Sequence, residues 1–195
     1  MQARAVVVLS VAALLALLPP TPPATAAACP PASTGGRAEA WISIDGTRTP
    51  LKPVTYEHGG ALIPPATNRA GGITGKPVGA TSGTTIITWH VRYGPGCPGR
   101  MNDLATAPIG REFTLIARGG KSVRMEITSR TAAKKGRYRP SWFRPGGPYQ
   151  VTLLTCDDLR GGTYRATAVT LASPVGTGPA EGAPPPATSP SPPSP

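Results

Sequence analysis

The sequence predicts an all-β fold, either a closed barrel or a sandwich, with one short helical turn. Three observations carry that expectation. Apolar and β-branched residues come in short runs with almost no helical periodicity. Turns bearing glycine or proline separate most of those runs. The proline excess sits at the ends: of 26 prolines, six lie in residues 19–31 and nine in residues 174–195. What remains, residues 38–173, is long enough for one globular core.

The expected strands follow in order. Ala40–Ile44 is a short, mostly apolar run with two β-branched isoleucines. Thr84–Trp89 is a nearly continuous β-branched run that ends at His90. Glu112–Arg118 and Ser122–Ser129 flank Arg118-Gly-Gly-Lys121, a hairpin signal. Gln150–Thr155 leads into Cys156, and Thr163–Leu171 follows after what reads as a short loop opening on two aspartates. The helical turn is expected around Met101–Leu104.

The N-terminus has Arg4, an apolar run from Ala5 to Leu18, then Pro19-Pro20 and the small-residue cluster Ala24–Ala28. That is the layout of a secretory signal. This run of fourteen residues, interrupted only by Ser10, is short of the roughly 20 a membrane span needs. Three outcomes fit: a cleaved signal, an uncleaved signal anchor, or lipid attachment at Cys29. Each puts the domain outside the cytoplasm, as a secreted protein or on the outer membrane face or cell wall. Residues 1–28 are therefore assigned to the signal or anchor, 29–37 to a linker, 38–173 to the domain and 174–195 to a Pro-rich disordered tail.

Three cysteines in an exported chain leave an odd one. Pairing Cys29 with Cys97 leaves Cys156 as a free thiol. If Cys29 is lipidated or removed, Cys97 is a second free thiol, and pairing Cys97 with Cys156 masks the latter. Sequence leaves these open. The formal net charge is +11, compatible with an anionic envelope, acidic lipids or adventitious nucleic acid. The densest basic stretch, Arg130–Arg144, interleaves arginines with Tyr138, Trp142 and Phe143. No nucleic-acid-binding motif accompanies it, so it reads as a solvated basic loop, with no nucleic-acid partner expected. Two histidines and scattered cysteines lack metal-ligand spacing, and no Gly-rich phosphate loop opens a helix. No metal or cofactor is expected.

The candidate chemistry centres on Cys156 and Arg165. A thiolate can attack a carbonyl carbon while a guanidinium on the next strand stabilises the oxyanion. Asp157 and Asp158 oppose thiolate formation, so a cationic neighbour is needed. His90 could give a proton to a leaving group, whereas His58, in Tyr56-Glu-His-Gly-Gly60, reads as a turn residue.

These residues resemble a known pattern. Thr152-Leu-Leu-Thr-Cys156-Asp-Asp is similar to the catalytic signature of sortases, the cysteine transpeptidases of bacterial envelopes. In that family a histidine follows an upstream strand and an arginine lies on the strand after the cysteine. His90, Cys156 and Arg165 appear in that order. Trp41-Ile-Ser-Ile44 and Gly59-Gly-Ala-Leu-Ile-Pro-Pro65 look like segments of actinobacterial class E and F members, as do Asn102-Asp-Leu104 and Ile109-Gly-Arg-Glu-Phe113. Three features depart from the pattern. Trp89 stands where glycine is usual, and its bulk is expected to reshape or cover the cleft. The segment Asp157–Tyr164 is short, so Arg165 is chosen over Arg160 from its Tyr-Arg strand context. Cys97 has no counterpart.

The resemblance implies a closed barrel of about eight strands with one or two short helical turns. It implies an enzyme that cleaves a sorting motif in exported proteins and transfers the acyl group to an amine acceptor, a peptidoglycan precursor or a protein amine. Any membrane contact would run through the N-terminal anchor. Cys156, His90 and Arg165 are the expected catalytic residues, with Thr155, Trp89 and Trp142 lining the substrate. Two alternatives are an inactive envelope-binding module that keeps the barrel, and an L,D-transpeptidase-like enzyme using Cys97. The latter rests on the similarity of Gly96-Cys97-Pro-Gly-Arg100 to a Gly-Cys-x-Arg signature.

Overall fold

A computed structural model describes Cys29 and residues 36–56, 62–67, 69–92 and 97–176. His58, residues 1–28 and the tail beyond Gly176 lie outside the described residues. Eight strands form one closed barrel. They are β1 (Ala40–Ile44), β2 (Thr47–Pro53), β3 (Gly71–Gly75), β4 (Thr84–Trp89), β5 (Glu112–Ala117), β6 (Ser122–Lys134), β7 (Gln150–Arg160) and β8 (Thr163–Pro174). Among the described residues, one α-helix, α1 (Asn102–Thr106), and a 3₁₀ turn at Pro140–Trp142 complete the elements. Around the barrel the order is β1-β2-β3-β4-β7-β8-β6-β5. Closure leaves no exposed sheet edge.

Strands β2 and β3 escape a reading by propensity, and each has a physical reason to be a strand. Pro50 interrupts β2, but the β2–β3 ladder begins only at Leu51↔Gly71. Leu51 turns its carbonyl to β1, where it accepts from the Glu39 amide at 2.9 Å. Pro50 therefore faces the still unpaired side, and its missing N–H breaks no ladder bond. In β3, a side chain at Gly71 would collide with Met101 and Leu51. The glycines there permit close packing across the barrel.

The end of β7 also differs from the sequence reading. Cys156 was expected at a strand end before a loop, yet β7 runs on to Arg160. Arg160 pairs with Thr163 across a two-residue turn, Gly161-Gly162, with φ of 56° and 77°. Two positive φ values match the twist of a hairpin, which only glycine adopts without strain. This tight turn holds a polar, charged run in the ladder despite its low strand propensity. Asp158, at φ 54°, is the one break.

Side-chain alternation sorts the core into two layers. Inside the barrel Ile42, Leu51, Ile87, Trp89, Phe113, Leu115, Met125, Ile127, Val151, Leu153 and Ala172 pack together. Outside it, Ile86, Leu154, Val169 and Ala133 pack beneath Trp142. The outer layer lies across β4, β7, β8 and β6, and it forms the floor on which the candidate site stands.

Candidate active site

Strands β4 and β7 run parallel, in register from Thr84↔Gln150 to Trp89↔Thr155. The next residues along are His90 and Cys156. Parallel neighbours stand about 4.8 Å apart between strands. On the other side, Cys156 pairs directly with Thr167 of β8. Arg165 is two residues from Thr167, so alternation puts it on the same face, diagonal to Cys156. That face carries Ile86 and Leu154, the outer layer. The registers thus bring His90, Cys156 and Arg165 to one outer face of three adjacent strands.

The local chemistry differs among the three. Cys156 is half-buried and is the free cysteine. Cys97 is buried and bonded to Cys29, closing 68 residues of chain. Of the pairings the sequence left open, this one keeps the Cys156 thiol available. Burial lowers the pKa of His90 below its ordinary 6.5, and a hydrogen bond from its ring to the Pro64 carbonyl offsets part of that. Arg165 is exposed and has no ion pair among the described residues. Arg160, its competitor in sequence, is held by Asp158 at 2.7 Å.

The signature threonines have structural tasks. Thr155 is buried and donates its hydroxyl to the Trp89 carbonyl at 3.0 Å. That bond ties β7 to β4 one residue before Cys156 and His90. Thr152 donates to the Trp142 carbonyl at 2.5 Å, and Gln150 donates to the Ser141 carbonyl at 3.0 Å. Together they pin the β6–β7 loop over the outer layer. Trp142 is buried in that layer with only 5% exposure.

Trp89 does not cover the cleft. Its side chain lies inside the barrel with 3% exposure, and its indole N–H donates to Asn102 Oδ1 at 3.2 Å. The period of two decides this, because His90 and Trp89 must face opposite ways. Thr155 likewise points inward, so neither lines the outer face.

Sequence reading missed three contributors. Pro64 holds the His90 ring. Asn102 and Gly99 hold the chain around His90. Only a contact between distant segments reveals them. A cavity of about 640 Å³ also reaches Cys156 and Asp157. It is bounded by Asn102, Asp103 and Thr106 of α1 and by Arg130, Ala168 and Thr170, and neither His90 nor Arg165 lines it. It therefore approaches the thiol from beside α1, away from the face shared by the three residues.

Solved structures with the same architecture are sortases. Sortase A from Corynebacterium diphtheriae matches at TM-score 0.55 and 19% identity, over 75% of this chain and 64% of that one. Sortase C1 from Streptococcus suis matches at TM-score 0.55 and 18% identity, over 71% of this chain and 73% of that one. Sortase C-1 from Actinomyces oris matches at TM-score 0.53 and 20% identity, over 71% and 73%. This chain has the sortase fold. No family model matches the sequence, and no curated protein does. The sortase barrel expected from the Thr-Leu-Leu-Thr-Cys run is thus the barrel observed, with eight strands.

Proposed function

We propose that this protein is a sortase-like cysteine transpeptidase. The Cys156 thiolate attacks a backbone carbonyl in a sorting motif of an exported protein. Arg165 stabilises the oxyanion, and His90 in its imidazolium form gives a proton to the departing amine. The C–N bond breaks as the thioester forms. An amine of the envelope, from a peptidoglycan precursor or a protein, then displaces the thiolate and completes the transfer.

The observation that carries this reading is the shared register of β4, β7 and β8, which favours His90, Cys156 and Arg165 acting on one carbonyl. A free thiol at Cys156 supports it further. The sortase fold of the chain agrees with the reaction class, and the substrate and acceptor are carried over from the resemblance to sortases. Two competing readings lose their motives. Cys97 sits in a disulfide, so it cannot serve as the nucleophile of an L,D-transpeptidase-like enzyme. The inactive binding module rested on a Cys97–Cys156 bond and a cleft blocked by Trp89, and neither is present.

Cys156→Ala should abolish acyl transfer to an added amine. His90→Ala should lower it by about 10²–10⁴-fold, the usual span of general acid catalysis. Turnover by Cys156→Ala equal to the natural chain would overturn the reading. The segment Arg130–Pro148, the end of β6 and the β6–β7 loop, carries six cations and no acid. Exchanging its loop part, residues 135–148, for a neutral loop should change which peptides are cleaved, read as relative kcat/KM across a peptide panel. Unchanged ratios would remove its role in substrate choice.

A further inference from the structure

His90 poses a positioning problem. It lies one residue past the last pair of the β4–β7 ladder, so the sheet itself does not fix it. Proton transfer is sensitive to such placement, since a misplacement near 1 Å can cost about 10²-fold. The chain on both sides of His90 is nevertheless held. Before it, the Trp89 indole donates to Asn102 Oδ1 at 3.2 Å. After it, Asn102 Nδ2 donates to the Val91 carbonyl at 2.6 Å. One amide side chain therefore spans His90, with its acceptor on one neighbour and its donor on the other.

Gly99 closes the clamp. Its amide donates to the Val91 carbonyl at 2.8 Å, and its carbonyl accepts from the Asn102 amide at 3.2 Å. A side chain at Gly99 would land on the His90 carbonyl oxygen, so only glycine allows this approach. Two residues earlier, Cys97 anchors the segment to Cys29.

We propose that Asn102 is a positioning residue that, bonded to the Trp89 indole and to the Val91 carbonyl and backed by Gly99, ties the backbone after His90 to the core side chain before it and so sets where the imidazole stands relative to the Cys156 thiol. The proposal rests on the acyl-transfer reading for its catalytic consequence, but the clamp itself is a matter of geometry. It also gives a reason for tryptophan at position 89. A side chain there must reach from inside the barrel to α1 and donate a hydrogen bond, which glycine cannot do. Asn is suited to position 102 because it offers an acceptor and a donor on one short planar group.

The test uses Asn102→Ala and Trp89→Phe in the full chain. The chain has two histidines, so the ring C–H signals of His90 and His58 separate readily by NMR, with His90→Gln giving the assignment. Both variants should move or broaden the His90 signals and leave those of His58 in place. Where the natural chain turns over a peptide, Asn102→Ala should lower kcat by about 10–10²-fold with KM unchanged. Trp89→Phe keeps an aromatic ring in the core and loses only the indole donor, so it answers the question even where Asn102→Ala melts early. His90 signals unmoved in both variants would overturn the proposal. Absence of turnover in the natural chain would count against the enzyme reading alone, because the His90 signals still report on the clamp.

Discussion

At the residue scale the account turns on how environment divides labour among three side chains. His90 is lowered in pKa by burial, so at neutral pH its imidazole is held mostly uncharged. The acid form that gives up a proton is then a minority form, and its share grows as the pH falls. The same shift bears on stability. The unfolded chain binds a proton at the ordinary pKa of 6.5, while the folded chain resists it. Stability should therefore be full above about pH 6.5 and fall as the pH drops through the lowered folded value. His90→Gln should lose less stability than the natural chain between pH 7 and pH 5, measured by urea melts at each pH. Equal losses in the two would show that burial does not penalise the charged His90. Asp158, two residues along β7 from Cys156, pairs with Arg160 at 2.7 Å, and Arg165 has no ion pair among the described residues.

At the scale of elements, a few hydrogen bonds decide where the loops sit. Thr152→Val keeps the shape of β7 but removes the hydroxyl bond to the Trp142 carbonyl. Gln150 also reaches that carbonyl at 3.4 Å, so the acceptor keeps a weak partner. The substitution should cost about 1 kcal/mol and loosen the β6–β7 loop. Denaturant melts read the first effect, and faster protease cutting between Arg137 and Arg144 reads the second. An unchanged cutting rate would mean that Thr152 does not pin the loop.

How much of this was legible in the sequence depends on the element. The runs Ala40–Ile44 and Thr84–Trp89 are strands with those same ends, because β-branched, apolar composition and flanking breakers agree there. The helical turn expected at Met101–Leu104 is α1, displaced by one or two residues. Strands β2 and β3 were hidden because prolines and glycines normally argue against strands. Their acceptance depends on which side of the strand is unpaired and on what packs against it. The continuation of β7 past Cys156 was hidden for a related reason, since a Gly-Gly turn supplies order that the charged run lacks. At the site, the order of His90, Cys156 and Arg165 could be read from the motif. The roles of Pro64, Gly99 and Asn102 could not, because each acts through contacts that only the closed barrel creates. Trp89 was misjudged as a cleft residue, although the alternation that faces His90 outward already turns Trp89 inward.

For the whole molecule, closure and the disulfide act together. The barrel is dominated by pairings distant in sequence, such as β1 with β5 and β4 with β7. The Cys29–Cys97 bond closes 68 residues of chain and restricts the unfolded state. Its chain-entropy contribution is about 4 kcal/mol, so reduction should lower stability by up to about that amount. Denaturant melts with and without reductant measure this, and coincident curves would show that the bond is stabilising nothing. The same bond leaves a single thiol for chemistry among the described residues. That sets up the most direct test of the central claim. The full chain is incubated with a randomised peptide library and hydroxylamine as the acceptor amine, and products are read by mass spectrometry. A narrow set of peptides should be cut and converted to C-terminal hydroxamates by the natural chain, with none from Cys156→Ala. Hydroxamates formed equally by Cys156→Ala, or none formed by the natural chain, would contradict the account.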